Sequence, residues 1–269
     1  MATTTSVSSL ASHATPPRYR VYLKEAKYDF LKMIRMPAYA LPTILFPVMF
    51  YVLFGILLAS RQPGHSVQMS TYLLATYGAF GVIGAALFSF GVGVATERGQ
   101  GWLQVKRASP MPPTAYFFAK VVTCMIFSLV IAACLILLGV FFGNVHITAT
   151  MAASLSLVLV LGSIPFCAIG LAIGYLAGPN SAVAVVNLIY LPAGFCSGLW
   201  IPLEFLPHFL QRVAYQLPPY HLGRLALATV GYAHGGHILL HVAELVFTTI
   251  AALVIARIAY QRDAGKLYG

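Results

Sequence analysis

Six long apolar runs leave this chain few folds to choose from. They cover residues 38–59, 70–96, 114–142, 148–177, 181–200 and 237–260. A bilayer core about 30 Å thick takes roughly 20 apolar residues to cross as a helix. Lipid offers nothing to unpaired backbone groups, so a spanning segment must satisfy its own. Runs of this length therefore predict helices. Only 8% of the residues are charged, against roughly 25% in soluble domains. The charges stand outside the runs or near their ends, because a mid-span charge costs roughly 2.5–3.5 kcal/mol. Lys120 sits about two turns inside the third run, and its stem is long enough to snorkel toward the interface. The fold class is all-α, a polytopic membrane protein with six transmembrane helices.

The basic residues give the runs a direction. Six spans place both termini on one side. Arg18, Arg20, Lys24, Lys27, Lys32 and Arg35 precede the first run. Arg98, Lys106, Arg107 and Lys120 surround the second connection, and Arg257, Arg262 and Lys266 close the chain. Only Arg61, Arg212 and Arg224 fall opposite. The positive-inside rule predicts that both termini are cytosolic. Orientation and anionic headgroups explain the net charge of +10 better than nucleic acid does.

Residues 1–17 are rich in Ser, Thr and Ala and lack the apolar stretch of a signal peptide, which predicts a disordered cytosolic tail. Residues 18–260 form the membrane domain, and 261–269 a cytosolic C-terminal tail. Within residues 18–35, Tyr22, Ala26, Phe30 and Met33 share a helical face while Lys24, Lys27 and Lys32 lie elsewhere. That pattern predicts an N-terminal interfacial helix; a plain basic flank is the other reading. Residues 201–236 contain Pro202, Pro207, Pro218 and Pro219, and apolar pieces too short to span. They predict a broken helical hairpin dipping into the outer leaflet before the last span, with a loose external loop as the alternative. Gly170, Gly174 and Gly178 are spaced for close helix packing. Cys124, Cys134, Cys167 and Cys196 lie in apolar stretches without a C-x-x-C pair and read as small buried hydrophobes.

The connection between the second and third runs is the most suggestive. It reads Glu97-Arg98-Gly99-Gln100-Gly101-Trp102-Leu103-Gln104-Val105-Lys106-Arg107-Ala108-Ser109-Pro110. Trp102 and Val105 are three apart and would share a face of a short amphipathic helix, which Pro110 stops. An interfacial turn anchored by Trp102 is the plainer reading.

In these residues the chain resembles the type-2 ABC-transporter permeases, in its drug-exporter-like members. Glu97-Arg98-x-x-Gly101, then Arg107, Ser109-Pro110, Tyr116 and Lys120, is similar to the family's coupling element. Pro192-x-Gly194-x-x-Ser197-Gly198-x-x-Ile201-Pro202 and Leu217-Pro218-Pro219-Tyr220 are similar to its wording before the last span. The resemblance implies an exporter subunit in a bacterial inner membrane, worked by alternating access. It implies that Glu97, Arg98, Gly101 and Trp102 meet a separate ATP-binding subunit, with Arg107 and Pro110 at the end of that helix. It also implies a second permease copy, as a homo- or heterodimer. The chain has no G-x-x-x-x-G-K-[S/T] phosphate cradle. ATP and Mg²⁺ are thus expected on the partner, with no cofactor, catalytic residue or metal on this chain. Apolar and aromatic path walls suggest a hydrophobic or amphipathic cargo such as a drug, lipid or lipid-linked molecule.

Two further features compete for attention. His234, His237, His241 and Glu244 share one face at the start of the last run, where imidazoles and a carboxylate can relay protons, bind metal or form a structural polar cluster. An ATP-independent secondary transporter or channel is the rival function. It calls for ion-coordinating residues at mid-span or paired broken helices, and the runs supply neither.

Overall fold

The computed structural model describes residues 17–59, 66–109, 111–232 and 237–265, and every regular element among them is helical. Helix α1 spans Arg18–Ile34. Helix α2, Pro37–Phe50, opens on a proline, where a missing N–H costs nothing. Pro42 and Pro47 lie inside it and each removes a backbone donor. The helix then continues as a wider π-type segment, Tyr51–Leu58. Helix α3, Ser66–Leu87, runs through a second such segment, Phe88–Val92, into α4, Gly93–Gly99. Helix α5 covers Trp102–Ala108 and α6 Pro113–Phe142.

Helices α7, Ala149–Gly162, and α8, Ile164–Leu176, make one span interrupted at Ser163, just before Pro165. The Thr148 hydroxyl caps α7 by accepting from the Met151 N–H. Helix α9 covers Ala182–Cys196. A 3₁₀ turn at Leu203–Phe205 leads to α10, His208–Ala214, and α11, Pro218–Thr229. Helix α12 is Ile238–Gly265.

Among the described residues, five stretches are long and apolar enough to cross a membrane. They are Tyr39–Leu58, Val67–Gly99, Thr114–Phe142, Ala149–Leu176 and Ile238–Arg262. The run at 181–200 yields a helix of only 15 residues, Ala182–Cys196, or about 22 Å at 1.5 Å per residue. Beyond Cys196 the chain leaves the helix, and Leu199 and Trp200 fold back onto the core.

Helix α3 is the axis of the bundle. Leu74, Tyr77, Phe80 and Ile83 are buried, and α2, α6, α8 and α11 all pack on it. A helix apolar around its whole circumference belongs in the middle. Helices α2 and α12 form the rim, where Leu41, Leu45, Met49, Leu239, Phe247 and Ile250 are exposed. Helix α12 packs along α8, and α1 along α6. Ala26 and Met33 of α1 face inward as their spacing predicts, and Asp29 is buried with them. The last turns of α8 and α12 meet through the rings of Tyr175 and Tyr260, 5.4 Å apart. One end of the bundle therefore gathers α1, α4, α5, the start of α6 and the ends of α8 and α12. Helices α10 and α11 lie at the other.

Candidate functional site

The connection from α4 to α5 is a tight reversal. Gln100 N–H donates to Thr96 O and Gly101 N–H to Arg98 O, closing α4. Gly101 then takes φ 77°, a left-handed conformation that favours glycine. The reversal lays α5 across the end of the bundle. Leu103 packs toward the core, whereas Trp102 and Val105 are 54% and 61% exposed. Lys106 holds the inner face by pairing with Glu25 of α1, and its ammonium lies 4.5 Å from the centre of the Tyr116 ring. Arg107 belongs to α5 by its backbone, its side chain lying outside the described residues, as does Pro110.

Glu97 ends α4 pointing inward and is only 4% exposed. Its Oε1 accepts from Lys32 Nζ at 2.6 Å and from Lys120 Nζ at 3.2 Å. Its Oε2 accepts from the Tyr116 hydroxyl at 2.6 Å. Lys120 Nζ also reaches Asp29 Oδ1 at 3.4 Å. Lys120 is fully buried, so it does not snorkel to the surface as its position in the third run suggested. Two carboxylates compensate it in place, which is the condition for keeping an ammonium out of water. Two lysines and two acids thus join α1, α4 and α6 in a cluster of zero formal charge. Arg98 donates to Tyr175 O and Ala177 O, both at 2.6 Å, where a cation suits the carbonyl end of α8.

Beside this cluster lies a groove of about 490 Å³. Met36, Tyr39 and Phe46 of α2 and its approach, Phe88, and Asn187 and Tyr190 of α9 line it, and Lys32 and Glu97 close one end. Tyr190 stacks on Phe80 with ring centres 4.3 Å apart and donates to Phe80 O at 3.0 Å. A Cβ on Gly84 would stand 2.6 Å from the Tyr190 hydroxyl, so only glycine leaves room. Trp200 packs on Phe80 and Phe50 at 5.3 and 5.6 Å, forming an aromatic layer past Tyr190.

The residues singled out in the sequence divide accordingly. Among the described side chains of the coupling set, Trp102 is the large one that points outward. Glu97 and Arg98 are turned into the bundle, because the charges they need lie on α6 and at the end of α8. At the other end, His241 is buried but meets His221 of α11, with Nδ1 atoms 2.8 Å apart. His221 Nε2 lies 3.2 Å from the Tyr215 carbonyl and must donate to it. A neutral His221 therefore accepts at Nδ1 from His241. His237 and Glu244 are exposed, and His234 lies outside the described residues. Among the described residues the most buried acids are Glu97 and Asp29, whereas Glu244 is exposed on the last span. No group of three or more His, Cys, Asp or Glu side chains suited to a metal occurs among the described residues. Asp29 and His221 were missed. Asp29 had a signal, a carboxylate on the apolar face of α1; His221 had none.

The family model described as ABC-2 type transporter matches residues 25–230. A protein of Bacillus subtilis (strain 168), named "Putative transport permease YvfS", is 24% identical over 203 residues, covering 76% of this chain and 82% of that protein. With its apolar helices, the chain is a multi-pass membrane protein that belongs to the ABC-2 type transporter family, as a permease subunit.

Proposed function

We propose that the chain is the permease half of an ATP-driven exporter. A separate ATP-binding subunit docks on the outward face of α5, and a second permease completes the pathway. In this reading α9 is the fifth of six spans, thinning the bilayer or leaning on neighbours to cross it. α10 and α11 form the outer hairpin, and both termini are cytosolic in a bacterial inner membrane. ATP and Mg²⁺ belong to the partner.

The observation that carries the reading is the contrast within one short helix. Trp102 and Val105 are exposed, yet α5 is fixed from beneath by Lys106, and α4 by Glu97 and Arg98. An exposed aromatic on a rigid support is what an interface anchor requires. The same arrangement supplies a transmission path. Motion of α5 pulls on α4, whose Glu97 closes the groove beside Lys32. Glu97 and Arg98 act in this scheme as positioning residues, and Trp102 makes the contact. Arg107 and Pro110 keep their proposed place at the far end of the helix.

The groove's aromatic and aliphatic lining suits a hydrophobic or amphipathic cargo such as a drug, lipid or lipid-linked molecule. Its ionic end gives such a molecule's polar part somewhere to rest. Driven passage is alternating access. Closure of the ATP-bound partners shifts α4 against α1 and α6, and the aromatic layer around Trp200 and Tyr190 yields to cargo.

Co-purification with the ATP-binding subunit tests the reading. Wild-type permease retains that subunit and stimulates its ATP hydrolysis in proteoliposomes. The double variant Trp102→Ala with Val105→Ala keeps its fold and loses both. Cargo flux in vesicles without any ATPase would overturn the proposal in favour of a secondary carrier.

A further inference from the structure

The end of the bundle away from the ion cluster holds a second cavity, of about 200 Å³, between α3, α10 and α11. Its walls mix the rings of Tyr72, Tyr220 and Tyr232 with the polar side chains of Ser197, Glu204 and Arg224. Arg224 is half-buried on α11. Among the described residues it meets no carboxylate within 4.0 Å, although the buried Lys120 has two. Ser197 is 3% exposed, and its hydroxyl finds no hydrogen-bond partner among the described residues.

The walls around these two groups are already committed. Tyr72 donates to Gly198 O at 2.7 Å and Gln211 Nε2 to Leu206 O at 2.8 Å. Tyr72 and Tyr232 brace each other edge to face at 5.3 Å. A guanidinium and a hydroxyl left over in a shaped pocket form a receptor for an oxyanion, since Arg presents paired donors that match phosphate geometry. Glu204 is exposed at the rim. Its carboxylate disfavours a second negative charge on the ligand and favours an ammonium, which the tyrosine faces also attract.

We propose that this cavity binds a phosphate ester bearing a nearby amine, the chemistry of a phosphoethanolamine head, with Arg224 and Ser197 on the phosphate and Glu204 on the ammonium. The site stands apart from α5 and the groove. Its test requires no ATPase, so it can fail without touching the reading of the chain as an exporter subunit.

The full chain, purified in an uncharged detergent, is titrated with four probes. These are inorganic phosphate, soluble glycerophosphoethanolamine, phosphatidylethanolamine and phosphatidylglycerol, with binding read by native mass spectrometry and thermal shift. Wild type is expected to prefer an ethanolamine probe over phosphate or the glycerol lipid. Arg224→Gln should weaken that binding about tenfold, as loss of a charge-assisted pair does. Ser197→Ala should weaken it less, and Glu204→Gln should erase the preference for the amine while retaining the phosphate. Ser197→Ala removes a hydroxyl that supports nothing in the fold, so it remains informative if Arg224→Gln is unstable. Binding of the lipid alone assigns the site to a bilayer headgroup, and binding of the soluble ester as well assigns it to either source. Absence of binding by both ethanolamine probes, or equal binding by wild type, Arg224→Gln and Ser197→Ala, would overturn the proposal.

Discussion

The two ends of this bundle are held together by different forces. At the Glu97 end, α1, α4 and α6 are joined by buried ion pairs, with Lys120 shared between Glu97 and Asp29. At the Arg224 end, the short α10 and α11 meet through aromatic edges, and α11 meets the long α12 through one imidazole pair, His221 with His241. Ion pairs out of water are directional and costly to break one at a time. Ring contacts are individually weak and allow sliding. The first end is thus suited to carrying a displacement from α5 into the bundle, and the second to rearranging when that displacement arrives.

The largest test of this contrast is Lys120→Met. It leaves two carboxylates buried with one lysine, and breaking a buried pair from one side costs about 3–5 kcal/mol. The expected result is a collapse of the monodisperse fraction in detergent and a marked fall in unfolding temperature. Adding Asp29→Asn should recover much of the loss, because the cluster is again neutral. A tolerated single variant would show that the cluster does not hold the three helices.

Next in size is Trp102→Ala with Val105→Ala. Exposed substitutions change stability by about 0.5 kcal/mol or less, so the unfolding temperature should hold. Association with the ATP-binding subunit should weaken roughly 30-fold, about 2 kcal/mol for loss of an aromatic anchor. Surface interferometry with the purified partner separates the two effects.

Tyr190→Phe probes the layer between the ends. It removes the bond to Phe80 O and leaves the stack, a loss of about 0.5–1.5 kcal/mol, readable as a small drop in unfolding temperature.

The smallest expected effect is a pH dependence confined to the Arg224 end. Burial pushes the His221 pKa below its usual value near 6.5, outweighing the upward pull of Glu244 and of the Tyr215 carbonyl. The unfolded chain therefore binds a proton more readily than the folded one. The contact of α11 with α12 keeps its full strength above about pH 6.5 and weakens as the pH falls below it. Hydrogen exchange should show α11 opening at pH 5, and His221→Gln should flatten the response.

Legibility in the sequence followed the range of the interactions involved. The helical class was evident, since long apolar runs have one common solution in lipid. The face of α1 and the shared face of Trp102 and Val105 were readable from helical spacing, but not that this second face points outward. The inward turn of Glu97 was not, because its partners Lys120 and Lys32 lie 23 and 65 positions away along the chain. Helical spacing groups His241 with His237 and Glu244, yet its partner is His221 on another helix. The run at 181–200 read as helix to its last residue because apolar composition does not distinguish a helix from a chain that folds back onto an aromatic core, as residues 199–200 do.

The sequence by itself determined that this protein lives in a membrane as helices, which of its loops are basic, and that the α4–α5 connection is amphipathic. These are consequences of composition and local spacing. Only the tertiary structure decided that α3 is the axis and α12 the rim, although both are strongly apolar. It also decided that Glu97 faces a lysine rather than the surface. Apolar residues facing lipid and apolar residues facing protein obey the same local chemistry. What separates them is the neighbour, and neighbours are chosen by the packing of the whole chain.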